Sequence, residues 1–312
     1  MVTKKKISLL IPAYNEEPVL PLLYDRVVEL INNQPNYTWE ILVVNDGSSD
    51  GTINFLRKLS EEDERVHYID LSRNFGKENA MMAGLDYVSG DSVVILDADL
   101  QHPPEVIPEM IKYWEDGFDD IAAKRRSVEG ESFLKKATSK FFYRLLMRMT
   151  KIPIQKDTGD FRLLDRKCIN AIKQLRENQR YTKGFYSWIG FQKKTILFDQ
   201  SARAAGETKW NYFQLINLAI EGITSFTVAP LRISTILGTI ISIGSFIYGV
   251  GTFIKTIFFE EEIQGYPSLM IAILFLGGVQ LLSIGILGEY LGRVFNETKN
   301  RPSYLIKETS IK

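Results

Sequence analysis

From residue 7 to residue 124, short runs rich in β-branched and other apolar residues alternate with stretches whose apolar positions recur at helical spacing. The runs are ISLLIP (7 to 12), EILVVN (40 to 45), VHYIDL (66 to 71), SVVILD (92 to 97) and DIAAK (120 to 124). Short apolar runs bounded by polar residues predict strands, and the stretches 19–31, 52–59, 77–88 and 105–114 between them predict amphipathic helices. Strand and helix in regular alternation predict an α/β domain: a largely parallel sheet covered by helices. In such sheets ligands bind outside the carboxyl ends of the strands, so the residues that follow each run are where chemistry is expected.

The pattern changes near Pro230. Residues 233–254 and 267–288 are two segments of 22 residues without a single charge. At 1.5 Å per helical residue, each is long enough for a hydrocarbon core of about 30 Å. Two transmembrane helices are therefore predicted, over about 233–257 and 267–290. The connector at 258–268 (FFEEEIQGYPS) carries three Glu and no Lys or Arg, whereas Arg293, Lys299, Arg301, Lys307 and Lys312 follow the second segment. The positive-inside rule then puts the connector outside and residues 1–232 and the tail in the cytoplasm. Lys255, at the outer end of the first segment, runs against this, and a long side chain there can snorkel to the interface. In the segment preceding the first span, Phe213, Ile216, Ile220 and Ile223 fall at helical spacing. They predict a helix over about 210–232 that either packs on the domain or lies in the membrane interface, where Trp210 and Tyr212 are at home. The expected organisation is a catalytic domain over 1–209, this juxtamembrane helix, the two spans within 233–292, and a tail over 293–312.

Composition narrows the picture. Thirty-eight basic residues balance 38 acidic ones, so nucleic acid is not the expected partner. Charge is nevertheless uneven: residues 124–156 hold ten Lys or Arg against two Glu. Such a run is either a solvated face or a seat for phosphates and anionic headgroups. One cysteine, Cys168, excludes an internal disulfide and fits a reducing compartment. The apolar run near the amino end is too short for a signal peptide and reads as the first strand.

After the first strand comes PAYNEE (12 to 17) and after the second NDGSSDGT (45 to 52). A structural turn that caps the next helix and a nucleoside contact by Asp46 both account for the second motif. The fourth run ends in DADLQHPPE (97 to 105), where Asp97 and Asp99 leave an apolar strand together. Two such carboxylates repel unless a cation stands between them, and magnesium suits one or two carboxylates plus substrate phosphates. Gln101 adds an amide oxygen. A solvated strand end with a cap before Pro103 is the plainer alternative.

In order, PAYNEE, NDGSSDGT, SRNFGKENA, DADLQHPPE, DTGDFRLLDRK, RYTKGFYSWIGF and GETKW, followed by two spans, resemble the family 2 glycosyltransferases that load polyprenyl phosphates. Within that family the likeness is greatest to the bactoprenol glycosyltransferases of O-antigen and teichoic acid modification, and it covers about residues 5–307. The resemblance implies a GT-A domain, a UDP-sugar donor, a Mg2+ or Mn2+ ion, and an inverting transfer of glucose or N-acetylglucosamine to polyprenyl phosphate at the bacterial cytoplasmic membrane. It implies that Pro12, Tyr14, Glu16 and Asp46 line the nucleoside pocket, that Arg73 and Lys77 approach the donor, and that Asp97, Asp99 and Gln101 hold the metal. Asp160 matches the position of a general base. Arg125, Arg203 and Lys209 match basic positions for the acceptor phosphate or the diphosphate. A homo-oligomer, a tetramer, is the assembly it points to. Two positions depart from the pattern: His102 stands where Asp is frequent, and Gln200 where a second Arg is expected.

The acceptor chemistry also follows from the phosphate itself. A phosphate monoester is already mostly dianionic at pH 7, so it needs cations around it more than a strong base. Asp160 then orients rather than abstracts. Three rivals remain in view. A processive polysaccharide synthase is expected to carry QxxRW and more spans. A membrane scaffold or flippase subunit has no use for Asp97, Asp99 and Gln101. A GDP-mannose-dependent polyprenyl-phosphate mannosyltransferase shares all of the chemistry.

Overall fold

The structure, a computed structural model, describes residues 4–126, 158–177, 180, 182–199, 227–259 and 265–311. The chain divides into two compact units, one of Met1–Leu215 with Arg301–Lys312 and one of Ile216–Asn300.

In the first unit, β1 (Lys6–Ala13), β2 (Thr38–Asn45), β3 (Val66–Leu71), β4 (Ser92–Ile95) and β5 (Asp120–Arg125) fall on the five predicted runs. Helices α1 (Leu20–Asn32), α2 (Thr52–Glu62), α3 (Lys77–Tyr87) and α4 (Ile107–Glu115) stand between them, α4 being entered through a single 3-10 turn over Pro104–Val106. Three further strands and two short helices complete the unit: β6 (Thr158–Asp165), α5 (Arg166–Ile172), α6 (Thr182–Trp188), β7 (Lys193–Phe198) and β8 (Ile306–Thr309). The eight strands form one sheet in the order β7-β5-β6-β4-β1-β2-β3-β8.

Side chains along β1 alternate between two cores, as the pleat requires. Ile7, Leu9 and Ile11 pack with Leu23 and Val27 of α1 and Met110 and Trp114 of α4. Leu10 faces the other way, onto Ala80, Met81 and Ala83 of α3. Both faces are covered, so the strands read as near-continuous apolar runs. The close seat of α3 depends on Gly84, where an added Cβ would meet Leu10 Cδ1 at 2.0 Å.

The β1–β2, β1–β4, β2–β3 and β5–β7 ladders are parallel, as expected. The antiparallel ladders, β4–β6, β5–β6 and β3–β8, all involve strands outside the predicted set. The sheet is thus a mixed GT-A sheet around a parallel centre. Because β6 runs backwards between β4 and β5, its amino end lies at the edge where its neighbours have their carboxyl ends. Consecutive strands spread from β1 towards β2 on one side and β4 on the other, which makes the crevice at their carboxyl ends a switch point.

The second unit holds α7 (Ala229–Phe259) and α8 (Tyr266–Thr298). Ala229–Thr252 and Leu269–Thr298 are long and apolar enough to cross a membrane, and neither stretch is buried. Phe246, Tyr248, Leu281 and Leu282 are among the apolar side chains exposed on them. The two helices touch through Ser234 Oγ, which donates to Ser283 Oγ at 2.7 Å. Helix α8 runs on to Thr298, past the predicted end of the span near 290, because no Pro or Gly stands between Gly292 and Pro302 to break it. The predicted juxtamembrane helix lies outside the described residues apart from its last few positions.

Candidate active site

A cleft of about 350 Å³ opens at the switch point, lined among others by Pro12, Tyr14, Glu16, Asp46, Lys77, Asp97 and Asp99. These seven were each singled out in the sequence, and the fold brings them together from the ends of β1, β2 and β4 and the start of α3.

The loops after β1 and β2 are laced to each other. Ser48 Oγ accepts from Asn15 N at 2.8 Å, Asn15 Oδ1 accepts from Ser49 N at 2.8 Å, and Glu17 Oε2 accepts from Gly51 N at 2.8 Å. Asp50 Oδ1 accepts from Thr52 N at 3.1 Å, and the Thr52 hydroxyl oxygen accepts from Glu16 N at 3.1 Å. Asn15 takes a left-handed backbone with φ 56° to make its contacts. Asp46 ties in the third loop: its two oxygens accept from Phe75 N at 2.7 Å and Gly76 N at 2.9 Å. Burial pushes the Asp46 carboxyl above its ordinary pKa despite those bonds. Asp46 therefore shapes the pocket wall by anchoring the SRNFGK loop. Gly47 makes this approach possible, having φ +64° and a position where a Cβ would stand 2.3 Å from the Arg73 carbonyl carbon.

After β4 the backbone turns sharply. Leu100 is 8% exposed and held at φ 60°, an uncommon conformation for a bulky residue and one that concentrates at functional sites. Asp99 Oδ1 accepts from Gln101 N at 3.1 Å. His102 Nδ1 accepts from Asp97 N at 3.3 Å, and the ring stacks on Phe161 at 4.8 Å between centroids. Burial lowers the His102 pKa, so the ring is neutral and serves the turn as an acceptor. This is what the departure from Asp at this position does.

Lys77, the first residue of α3, reaches across the cleft floor. Its Nζ stands 2.7 Å from Asp97 Oδ1 and 3.0 Å from Asp160 Oδ2. Asp160 lies on the reversed strand β6 and is 8% exposed, with its other oxygen buried and without a hydrogen-bond partner. Burial alone would raise its pKa, but Lys77, Lys183 and Arg162 together outweigh it and hold the carboxyl below its ordinary value. A carboxylate so paired is a weak base. Its strand is fixed from behind by Arg162, whose Nη1 lies 3.0 Å from each Asp120 oxygen and whose Nη2 donates to Gly159 O at 3.0 Å. Arg162 also covers the Tyr186 ring at 3.6 Å.

Other sequence candidates sit elsewhere. Arg73 stacks on Phe75 at 4.0 Å and donates to Asn74 O, away from the cleft lining. Arg125 is exposed at the carboxyl end of β5, on the same sheet edge as the cleft but not in its wall. Arg203, Lys209 and Gln200 lie outside the described residues, as does the basic run beyond Arg126. Sequence reasoning passed over Asn74 and Gly76, which line the cleft, and Glu78, which accepts from Thr182 N at 3.1 Å. Asn74, Gly76 and Glu78 belong to SRNFGKENA, so the motif was seen without its members being resolved. Arg162 carried a signal too, as a lone charge inside the apolar strand FRLL.

Four carboxylates, Glu16, Asp46, Asp97 and Asp99, face this cleft with one ammonium, Lys77. Among the described residues no three His, Cys, Asp or Glu side chains are grouped to hold a metal ion by themselves. Asp97 and Asp99 are instead the two-carboxylate set of hard oxygens that suits a divalent ion completed by water and a ligand's phosphates. The donor set fits such an ion, and an anionic ligand needs that charge to enter so acidic a cleft.

A mixed sheet with paired aspartates at the end of its fourth strand, beneath a switch-point cleft, is the arrangement that the resemblance to glycosyltransferases implied. The chain belongs to glycosyltransferase family 2, whose description as Glycosyl transferase family 2 matches residues 8–172. A second match, to the GtrB C-terminal hairpin, covers residues 229–294 and so takes in most of α7 and α8. The chain is 45% identical over 304 residues to the SfII prophage-derived bactoprenol glucosyl transferase of Shigella flexneri, covering 97% of this chain and 98% of that one. It is 48% identical to an uncharacterized glycosyltransferase of Synechocystis, over 97% of this chain and 95% of that one. The prophage bactoprenol glucosyl transferase homolog of Escherichia coli K12 is 43% identical over 97% of this chain and 98% of its own.

Proposed function

We propose that this enzyme transfers glucose from UDP-glucose to a polyprenyl phosphate at the cytoplasmic face of a bacterial membrane, with inversion at the sugar. The observation that carries the reading is the facing of Asp97, Asp99 and Lys77 into one cleft with Pro12, Tyr14 and Asp46, in a chain that also holds two membrane-length helices. Glucose is favoured over N-acetylglucosamine and mannose because relatives named bactoprenol glucosyl transferase align over 97% of the chain.

In this reading Pro12, Tyr14 and Glu16 border the nucleoside, and the loop that Asp46 anchors closes the pocket behind it. Asp97, Asp99 and Gln101 hold a Mg2+ or Mn2+ ion, which when bound supplies positive charge to the departing diphosphate. Lys77 adds a second cation on the floor. Asp160, paired with Lys77, orients rather than abstracts, because the acceptor phosphate arrives already ionised. Arg125 at the sheet edge, with Arg203 and Lys209, draws the acceptor phosphate through charge-assisted hydrogen bonds. The membrane seat is supported by β8, which pairs with β3 after the chain has passed through both helices. Residues before α7 and after α8 thus share one side, as two crossings require.

The test is to incubate purified protein and undecaprenyl phosphate with a panel of radiolabelled nucleotide sugars and follow label into the lipid phase. UDP-glucose is expected to label the lipid. Labelling from GDP-mannose alone, or from no donor, overturns the assignment.

A further inference from the structure

The placement of Lys77 goes beyond a general role near the donor. Its ammonium bridges two carboxylates of different kinds, Asp97 at the mouth of the proposed ion site and Asp160 on the buried strand behind. The Lys77 side chain is 44% exposed, whereas that of Asp160 is only 10% exposed, so of the two it is Lys77 that has open space beside it. An ion held by Asp97 would share that carboxylate with an ammonium that already stands 2.7 Å from Oδ1. Two cations so close, in a partly buried site, repel each other.

We propose that Lys77 is an internal counter-cation that competes with the divalent ion for Asp97, and that on displacement its ammonium donates to the donor diphosphate. Ion and nucleotide then bind cooperatively: the ion frees the ammonium, and the diphosphate, by accepting from it, relieves the repulsion that weakens the ion alone. By linkage each ligand tightens the other by the same factor, commonly in the range of about 5- to 150-fold. Without substrate, Lys77 offsets one of the two negative charges that Asp97 and Asp160 bring to the cleft floor. The inference rests on the proposed metal and nucleotide reading of the cleft.

The experiment uses full-length protein in detergent and the electron paramagnetic resonance signal of free Mn2+, titrated with and without saturating UDP. Wild type is expected to bind Mn2+ weakly alone and more tightly with UDP. Lys77→Gln and Lys77→Met should bind Mn2+ alone more tightly than wild type by about fivefold or more, and the enhancement by UDP should shrink by a similar factor. Lys77→Arg, which keeps the charge, should retain the wild-type enhancement. Thermal unfolding of each variant establishes that it is folded, and the Met substitution serves if the Gln substitution is not. Wild-type behaviour with Lys77→Gln or Lys77→Met binding Mn2+ no more tightly, and with an undiminished UDP effect, overturns the role of Lys77 alone. Wild type binding no Mn2+ even with UDP overturns the ion reading, and this inference with it.

Discussion

Glu78 offers a prediction with a sign. It stands in the first turn of α3, next to Lys77, and its Oε2 accepts from Thr182 N at 3.1 Å, joining α3 to the start of α6. Burial first, and the Asp160 carboxylate second, push its pKa from 4.5 up to about 7, against the pull of the Thr182 N–H, Lys77 and Arg180. A carboxyl whose pKa is raised on folding binds more protons in the native state, so its stabilising contribution is complete below 4.5 and is lost as pH rises through about 7. Between pH 5.5 and 8 the difference in proton binding integrates to about 1.4 pH units, or roughly 2 kcal/mol, a ceiling because solvent reaches this partly buried group. For a unit of this size that is about 4–8 °C in Tm. Glu78→Gln removes the titration and keeps an oxygen to accept from Thr182 N. The assay is thermal unfolding in detergent across that pH range, wild type beside Glu78→Gln. The wild-type Tm should fall relative to the variant as pH rises, the gap growing by several degrees. Parallel curves would falsify the idea that Glu78 is held protonated at mildly acidic pH.

Asp99→Ala should leave the protein folded and membrane-inserted but without transfer, and activity within about threefold of wild type, or full activity in excess EDTA, rules out the metal role. A cysteine at Ser268 should react with an impermeant thiol reagent on intact cells and one at Ser303 only after lysis, with native Cys168 fully buried and therefore silent; the reverse pattern defeats the cytoplasmic active site. Gly47→Ala drives a Cβ to 2.3 Å from the Arg73 backbone, so it should destabilise by about 1–3 kcal/mol and weaken UDP binding, and an unchanged Tm tells against the proposed packing of the two loops. Arg203→Ala should raise the apparent KM for polyprenyl phosphate by roughly tenfold to 150-fold, from a charge-assisted bond of about 1.5–3 kcal/mol, with much less effect on the nucleotide sugar; the opposite split moves Arg203 to the diphosphate.

The parallel half of the fold was legible because each of its strands is apolar on both faces, a pattern independent of distant partners. Strand β6 was not, although its motif was recognised, because TGDFRLLD combines its apolar residues with Arg162 and two Asp. Only the fold shows that Arg162 is neutralised by Asp120, 42 residues earlier in the chain. Strand β8 is four residues of mixed polarity, and its reason to be extended lies in β3. At the site, residue type and position after a strand identified Asp97 and Asp99. Neither type nor spacing reveals that Lys77 joins Asp97 to Asp160, 63 residues further on, since that contact depends on β6 running backwards.

The chain returns to the sheet after α8. Glu308 of β8 pairs with Arg57 and accepts from the Tyr68 hydroxyl, Lys307 Nζ stands 3.3 Å from Asp70 Oδ2, and the Tyr304 hydroxyl donates to Asp86 at 2.7 Å. These contacts are largely polar and partly exposed, so each contributes little, but together with the ladder to β3 they cover what would be an open sheet edge. The edge of β3 is thereby paired by a segment of the same chain, and backbone N–H and C=O groups that it would otherwise present to a foreign strand are satisfied.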